Sequence, residues 1–300
     1  MITGIQGIRF RRAAAVVVTT GAVLATGALT AAPAQAAVAT PTITAPGGFM
    51  MNSTNGATLF SKAPDTRRLT ASTTKVMTAA VVLSQANVNL DTKVTIKQDV
   101  SNYMVKKGYP SSAKLIVGDK VTVRQLLYGM MLPSGCDAAM ALADKFGTGS
   151  TVAARTKSFI AKMNAKATSL AMRNTHFDSF DGLSNGNNYS TPKDLTLLAR
   201  SAMKSGAFQA VVRTKSYTAK TITKTGGTRN TTWTNTNTLL GWNGTLGIKT
   251  GSGTEAKYCL IFAATKNGES VMGAVLTASS AANRTADVQK LINYGYAKIS

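Results

Sequence analysis

The first regular pattern along the chain is a pair of short apolar runs separated by a turn signal. Asn55-Gly56 lies between the two runs, within residues 48–62. This dipeptide favours the tight turn of a β-hairpin. Residues 48–62 are therefore predicted to form two antiparallel strands.

Helical spacing of apolar residues dominates the middle of the chain. Five helices are predicted. The first begins at Ser72, the second begins at Thr122 and stops at Pro133, the third and fourth cover 136–146 and 151–169, and the fifth begins at Pro192. Between them, residues 174–192 form a polar loop rich in Asn, Ser, Asp and Gly. Loops of this length without regular structure are uncommon and usually functional or disordered.

Strand-like patterns return in the last third of the chain. They cover 217–225, 232–237, 246–250, 258–263 and 271–276, and a final helix follows with Val288, Leu291 and Ile292 on one face. Strands, then helices, then strands predict an α+β fold. Its antiparallel sheet of about five strands is built from both chain ends, flanked by terminal helices and interrupted by an inserted all-helical region. We predict one domain over 37–300, with an α/β lobe (about 37–78 and 200–300) and a helical lobe (about 79–199).

The first 36 residues have the organisation of a secretory signal. Basic Arg9, Arg11 and Arg12 precede a small, apolar stretch at 13–29, and Ala34-Gln35-Ala36 resembles a cleavage site. A retained membrane anchor is the alternative, but an Ala- and Thr-rich stretch makes a weak spanning helix. The chain also stops at Ser300, directly after the last predicted helix. We therefore expect export across the cytoplasmic membrane and a protein that is extracellular or loosely attached to the envelope.

The charge of the chain is strongly positive. It is +22, or +19 after the three arginines of the predicted signal are removed. Such a charge favours anionic partners. No nucleic acid is expected, because the lysines are spread along the chain without interleaved aromatic residues that could stack on bases. An anionic cell envelope is the expected partner, and the protein is expected to be a monomer.

Neither a metal nor another cofactor is expected. The chain has one histidine, His176, and no C-x-x-C or H-E-x-x-H motif. Its 12 acidic residues are scattered and offer no cluster of ligands. A single histidine also leaves only one possible base for a Ser-His-Asp triad.

Ser72-Thr73-Thr74-Lys75 is an S-x-x-K motif. Residues at i and i+3 share a helix face, so the lysine amine can lie beside the serine hydroxyl and accept its proton. Three other matches occur, at Ser111–Lys114, Ser190–Lys193 and Ser201–Lys204. Only Ser72 opens a predicted helix after a polar stretch, where its backbone N–H can help form an oxyanion hole. The other three are interpreted as solvated surface.

Two more motifs suit a serine acyltransferase. Ser134-Gly135-Cys136 lies in the predicted tight loop between two helices, and Lys249-Thr250-Gly251 lies at the end of a predicted strand. A strand-borne lysine and a threonine hydroxyl can hold a free carboxylate, and the glycine permits close approach of a substrate backbone. A second Lys-Thr-Gly at Lys224–Gly226 has no hydrophobic strand beside it and is interpreted as a turn.

The order S-x-x-K, S-x-[N/C], K-T-G is that of penicillin-recognising serine enzymes. The sequence resembles the low-molecular-mass penicillin-binding proteins that act as D-alanyl-D-alanine carboxypeptidases. It is most similar to the exported serine DD-transpeptidase type, whose middle motif ends in Cys. The resemblance covers essentially all of 48–299, and the matching stretches are TRRLTASTTKVMTA, LLYGMMLPSGCDAA, THFDSFDGLS, STPKDL, NTNTLL and GIKTGSGTEAKYCL.

The resemblance implies a β-lactamase-like fold, no cofactor, and peptidoglycan stem peptides and β-lactams as ligands. It also implies a role for each motif residue. Ser72 is the nucleophile, Lys75 takes its proton, Ser134 relays a proton to the leaving D-Ala amine, Lys249 and Thr250 bind the terminal carboxylate, and the backbone N–H groups of Ser72 and Ser252 form the oxyanion hole. Gly251 and Cys136 belong to the substrate-binding set, although Cys is a weak hydrogen-bond partner where most relatives have Asn.

Several alternatives stay open. Transpeptidase and carboxypeptidase share one acyl-enzyme and differ only in whether an amine or water attacks it, and we favour transpeptidase. A β-lactamase would need a Glu in the polar loop, which contains only Asp178 and Asp181. A non-catalytic envelope-binding protein would not need all three motifs.

The two cysteines, Cys136 and Cys259, could pair in an oxidising compartment. We favour free thiols, because a disulfide would lock the wall of the cleft where substrate enters. Cys136 is expected to be reachable from solvent and to be a reactive thiolate beside Lys75 and Lys249.

Overall fold

This computed structural model describes residues 38–299 of the chain. They form nine strands and eight α-helices, together with turns and loops. The strands are β1 Gly47–Asn52, β2 Thr58–Lys62, β3 Lys93–Thr95, β4 Lys120–Thr122, β5 Ser216–Ile222, β6 Thr228–Thr234, β7 Thr245–Gly253, β8 Lys257–Lys266 and β9 Glu269–Ala278. The helices are α1 Lys75–Leu83, α2 Gln98–Lys106, α3 Val123–Met131, α4 Cys136–Phe146, α5 Val152–Ser169, α6 Pro192–Ala202, α7 Gly206–Arg213 and α8 Ala281–Ile299. The predicted signal sequence, residues 1–36, lies outside the described residues.

The larger sheet has five antiparallel strands in the order β2-β1-β9-β8-β7. It confirms the predicted α+β fold with a sheet built from both chain ends. The predicted hairpin is also confirmed: β1 pairs with β2, and Gly56 adopts a left-handed conformation (φ +81°) in the turn between them. The sheet thus places β7, which carries the Lys-Thr-Gly motif, at one edge.

The larger sheet is covered on both faces. Side chains alternate along a strand, so Ile261 and Ala263 of β8 pack in the core against the helices of the insert. Leu260 and Phe262 of the same strand pack in a second core that includes α8. This alternation also buries Cys259 on the side of the inserted helices.

The helices begin and end at residues whose chemistry fixes those positions. Thr122 and Gln125 form a reciprocal capping box at the start of α3. At α6, the Thr191 side chain accepts from the Asp194 N–H and Pro192 occupies the first turn. The predicted helices from 122 onward accordingly agree with α3, α4, α5 and α6.

The inserted region is not all-helical, which corrects the prediction. It contributes β3 and β4 to a second, four-stranded sheet in the order β3-β4-β5-β6. Each of the two strands is only three residues long, too short for an alternating pattern to be recognised in the sequence. The β5–β6 hairpin completes this sheet through the pairing of Lys120 with Ile222. The boundaries of the two predicted lobes stay a prediction.

No helix within residues 38–299 is long and apolar enough to span a membrane.

Candidate active site

Ser72 lies in a tight turn that leads into α1. Residues 71–74 form a 3₁₀ turn, and Lys75 is the first residue of α1. Ala71, directly before the serine, has φ +44°, an uncommon conformation for a residue with a side chain. The turn brings Lys75 Nζ to 2.8 Å from Ser72 Oγ, so the predicted i, i+3 contact is present.

Lys75 is buried and held by three acceptors. Besides Ser72 Oγ, Nζ donates to the backbone oxygen of Asp181 at 2.8 Å and contacts Cys136 Sγ at 3.4 Å. Three partners at these distances restrict the orientation of Nζ. The amine is therefore fixed against the serine hydroxyl rather than free to rotate.

The polar loop at 174–191 forms the wall of the site beside Ser72. Gly182 has φ +90° and lies so close to Ala71 that a Cβ at this position would collide with the Ala71 carbonyl oxygen. The Asn188 amide donates to the hydroxyls of Thr70 and Thr74, which lie on either side of Ser72 in sequence. The loop thereby fixes both the serine turn and the carbonyl that holds Lys75.

The carboxylates of this loop are engaged elsewhere. Asp181 accepts from Tyr103 Oη at 2.6 Å and from the Leu183 N–H at 2.9 Å. One oxygen of Asp178 accepts from the N–H groups of Asn185 and Asn187. Both acids stabilise the loop itself.

Ser134 is held in an unusual backbone conformation in the loop between α3 and α4. Its φ is +65°, and its Oγ is buried with no hydrogen-bond partner among the described residues. Such outliers cluster at active sites. Its carbonyl accepts from Ser111 Oγ at 2.7 Å. Ser111 and Lys114 are exposed, in agreement with the interpretation of that match as surface, but Ser190 of the Ser190–Lys193 match is buried, and for Ser190 the interpretation is wrong.

Lys249 and Thr250 lie on β7 next to the serine turn. The Lys249 side chain is 1% exposed, and its Nζ donates to the Thr250 carbonyl at 3.1 Å. Burial, and secondarily the charge of Lys75, hold the pKa of Lys249 well below its usual value. Thr250 Oγ1 lies 2.7 Å from the hydroxyl of Thr236, which belongs to the Asn-Thr-Asn stretch before β7.

Gly251 allows β7 to contact the serine turn. A Cβ at this position would lie 3.0 Å from Thr70 O and 3.2 Å from Thr73 N. A packing requirement thus explains the glycine, whereas the sequence suggested an approach by substrate.

Arg284, in the first turn of α8, was missed by the sequence analysis. It lines the same cavity as Ser72, and its Nε has no hydrogen-bond partner among the described residues. A signal was present: Arg284 lies four residues before Val288, on the apolar face of the last predicted helix. A cation on an apolar face needs an explanation, and here the cleft provides one.

These residues surround one cavity of about 410 Å³. Its lining includes the predicted residues Ser72, Ser134, Cys136, Thr250, Gly251 and Ser252, together with Ser111, Thr236 and Arg284. Lys75 and Lys249 lie behind this lining, in contact with Ser72 and Thr250. The site is therefore a cleft whose lining includes both a lysine-bound serine and an arginine.

Both cysteines are unpaired and buried. Burial raises the pKa of Cys136 despite the opposing effect of Lys75, and it raises the pKa of Cys259 to about 11. The Cys136 side chain is therefore buried rather than exposed as expected, and its burial disfavours the expected thiolate. Desolvation opposes the thiolate more strongly than the neighbouring cation favours it.

Two other sequence features lie outside the cavity. Lys224–Gly226 forms the turn between β5 and β6, as predicted, with the Gly226 N–H donating to the Thr223 carbonyl at 3.0 Å. His176 lies in the polar loop, with Nδ1 2.7 Å from the Asn187 carbonyl.

Comparison with known proteins gives a consistent result. A family model described as D-alanyl-D-alanine carboxypeptidase matches residues 34–280. The chain is 63% identical over 292 residues, 97% of its length, to the whole of a D-alanyl-D-alanine carboxypeptidase of Streptomyces sp. strain K15. The crystal structure of the Streptomyces K15 DD-transpeptidase matches with a TM-score of 0.85 and 63% identity, covering 87% of this chain and 100% of that one. The carboxypeptidase DacD of Francisella tularensis matches with a TM-score of 0.75 and 30% identity, covering 86% of this chain and 71% of that one.

Proposed function

This chain belongs to the D-alanyl-D-alanine carboxypeptidase family of serine peptidases, and from that premise we propose that Ser72 forms the acyl-enzyme. Its substrates are peptidoglycan stem peptides that end in D-Ala-D-Ala, and β-lactams acylate the same serine. The contact of 2.8 Å between Lys75 Nζ and Ser72 Oγ carries this proposal. A base must lie within hydrogen-bond reach of the proton that it removes.

Acylation requires one proton to leave Ser72 and one to reach the departing amine. Lys75 takes the serine proton as Ser72 Oγ attacks the carbonyl between the two D-Ala residues. Ser134 relays that proton: its hydroxyl protonates the amine of the leaving D-Ala and takes up the proton held by Lys75. The free state of Ser134 Oγ supports this role, because no hydrogen bond within the described residues has to be broken first.

The cleft also offers groups that stabilise two negative charges, the oxyanion of the tetrahedral intermediate and the terminal carboxylate of the substrate. The oxyanion of the tetrahedral intermediate is stabilised by the backbone N–H groups of Ser72 and Ser252, and donors placed in advance lower this barrier. The terminal carboxylate binds at Thr250 and Arg284, both of which line the cavity. Lys249 acts from behind Thr250, and Arg284 supplies the charge that faces the cleft.

We propose that an amine rather than water is the preferred acceptor of the acyl group. No carboxylate lines the cavity within residues 38–299, so no acidic side chain is in place to activate a water molecule. Asp178 and Asp181 are fixed by other hydrogen bonds. β-Lactam adducts are accordingly expected to be long-lived, unlike those of a β-lactamase.

Labelling with a fluorescent penicillin tests the nucleophile. Ser72→Ala should abolish covalent labelling while the protein stays folded. Ser201→Ala, in another S-x-x-K match, is the control and should label normally. Labelling that survives in Ser72→Ala would contradict the proposal.

The same assay separates the alternatives. A DD-peptidase stays labelled, a β-lactamase turns the penicillin over, and a non-catalytic envelope-binding protein does not label. Product analysis with a diacylated D-Ala-D-Ala peptide and added Gly-Gly then distinguishes transpeptidation from hydrolysis.

We further propose that the protein is an exported monomer that associates with the anionic envelope through its charge of +22, or +19 without the predicted signal. Charge-driven association weakens as salt shortens the screening length. Release from envelope fractions by concentrated salt, without detergent, is the expected result. Retention in salt followed by release only in detergent would contradict association by charge alone.

A further inference from the structure

Exposed apolar side chains concentrate in one short stretch beside the active site. Val105, Tyr109 and Ile116 are 54%, 74% and 46% exposed, and only Val38 among the other large hydrophobic residues of the described chain is comparably exposed. We call Val105, Tyr109 and Ile116 the apolar rim. Clusters of this kind mark interaction sites, whereas isolated exposed residues need no explanation.

Two members of the apolar rim, Tyr109 and Ile116, line a cavity of about 570 Å³ whose walls are mostly apolar. Ile96, Val100, Met104 and Leu115 are among the residues that line it. The only charged residue in the lining is Asp137, and its carboxylate already accepts from Ser112 Oγ and from the N–H groups of Ala113 and Leu115. The cavity therefore suits hydrocarbon rather than a polar ligand.

The backbone holds Tyr109 outward. Gly108 and Tyr109 both have positive φ, +70° and +55°. Their N–H groups donate to Val105 O and Met104 O, at 3.0 Å and 2.9 Å, which closes the end of α2. A tyrosine in the left-handed region costs free energy, so this turn fixes a conformation that leaves its ring in solvent.

Lysines surround the apolar rim. Lys106, Lys107 and Lys114 lie in the same stretch, and none of them forms a salt bridge within the described residues. Lys107 donates to the neutral amide oxygen of Asn185. A second copy of this chain is a poor occupant, because a symmetric contact would place these cations against their own equivalents.

We propose that the apolar rim and its three lysines dock the protein onto the surface of an anionic lipid bilayer. Apolar side chains enter the boundary of the acyl chains while lysines pair with anionic headgroups, and stable attachment without a spanning helix needs two such signals. Pro110 lines both this cavity and the active-site cleft. Docking would therefore hold the cleft next to the membrane. The proposal deepens the proposed envelope association and does not depend on the acyl-transfer chemistry.

Sedimentation with vesicles tests the proposal. The wild-type protein should bind vesicles that contain phosphatidylglycerol at least about tenfold more tightly than pure phosphatidylcholine vesicles. Tyr109→Ser and Ile116→Ser should each weaken binding about tenfold, because less apolar surface leaves water. Lys106→Ala and Lys114→Ala should each weaken it about fivefold.

Matched controls separate the apolar rim from general charge. Val38→Ser and Lys266→Ala, which change an exposed apolar residue and an exposed lysine elsewhere, should bind like the wild type. In about 1 M salt, where the screening length falls to about 3 Å, binding of the wild type to vesicles should fall sharply, as expected for release from the envelope, because the lysines then contribute little.

Penicillin labelling of Ser72 shows whether each surface variant is folded. Ser72→Ala should bind vesicles like the wild type, which makes the vesicle test independent of the catalytic proposal. A blue shift of the emission of Ile116→Trp on adding vesicles is a second measurement. The proposal is overturned if Tyr109→Ser and Ile116→Ser bind like the wild type, or if Ile116→Trp shows no shift. It is also overturned if the rim mediates self-association in solution without any vesicle binding.

Discussion

At the scale of single residues, Lys249 shows how burial changes what a charged side chain contributes. The sequence suggests a cation that meets a carboxylate, but the side chain is buried and its pKa is lowered. Its proton is therefore held less tightly in the folded protein than in the unfolded chain. Arg284, although largely buried, lines the cleft and places a positive charge there.

A pH dependence of stability follows from Lys249. Between its lowered pKa and the ordinary value of 10.5, the unfolded chain binds more protons than the folded protein. The free energy of unfolding should therefore rise with pH in this window. Below the lowered pKa both states are protonated, and the folded state carries the full cost of the buried charge. Urea unfolding across this range should show a smaller rise for Lys249→Met than for the wild type or the exposed control Lys224→Met. Equal slopes in all three proteins would contradict the assignment.

Cys136 gives a second prediction at this scale. Because burial raises the pKa of its thiol, the reactive thiolate is a small fraction at neutral pH. Alkylation of the native protein by iodoacetamide should therefore accelerate about tenfold per pH unit. Cys259, with a pKa of about 11 and complete burial, should react more slowly. Peptide mapping by mass spectrometry measures both sites, and a rate at Cys136 that is flat between about pH 6 and 8 would indicate a thiolate already formed.

At the scale of elements, the polar loop determines where Lys75 points. Gly182 and Gly186 both lie in this loop with positive φ, but a side chain at Gly182 would collide with Ala71, whereas Gly186 faces open space. The free energy of unfolding of Gly186→Ala should fall by only about 1–2 kcal/mol, the conformational cost of a side chain at positive φ. The free energy of unfolding of Gly182→Ala should fall by at least about 3 kcal/mol. Acylation of its Ser72 by penicillin should also be slow, because the Asp181 carbonyl moves away from Lys75.

Urea unfolding and the rate of penicillin labelling measure the two effects separately. The comparison separates close packing from backbone preference, because both glycines have a positive φ, +90° at Gly182 and +112° at Gly186. Similar losses of stability and labelling in both variants would mean that the contact with Ala71 does not position the site.

The elements that could be predicted from the sequence are those with clear boundaries. Helices α3 and α6 carry a capping box and a first-turn proline, and such signals are local. Strands β3 and β4 could not be predicted, because three residues give no period and their stability comes from the distant β5–β6 hairpin.

The same limit applies to the site. The contact of Ser72 with Lys75 depends on local helical geometry, which the sequence contains. The third partner of Lys75 is a backbone carbonyl, that of Asp181, and any residue type could provide it. Arg284 was detectable in principle as a charge on an apolar helix face, although its proximity to β7 depends on the tertiary fold.

At the scale of the whole molecule, the three motifs come from regions far apart in sequence and meet because the larger sheet and the inserted helices share one core. That core extends from the α1 residues Val76 and Met77 to the β8 residue Ile261. Substitutions deep in this core should therefore affect labelling of Ser72 as well as stability.

The pairing of β1 with β9 also determines when folding can finish. Gly47 is opposite Leu276, so the central strand pair of the larger sheet joins the two ends of the described chain. A ribosome or a translocation channel delivers the N-terminal end first, and the early hairpin then has an unpaired edge until almost the entire polypeptide has emerged. Contacts so distant in sequence form slowly, and unpaired strand edges promote aggregation in the meantime. The nascent protein is therefore expected to depend on being kept unfolded during synthesis, and fragments that lack the last strands are expected to accumulate as insoluble material.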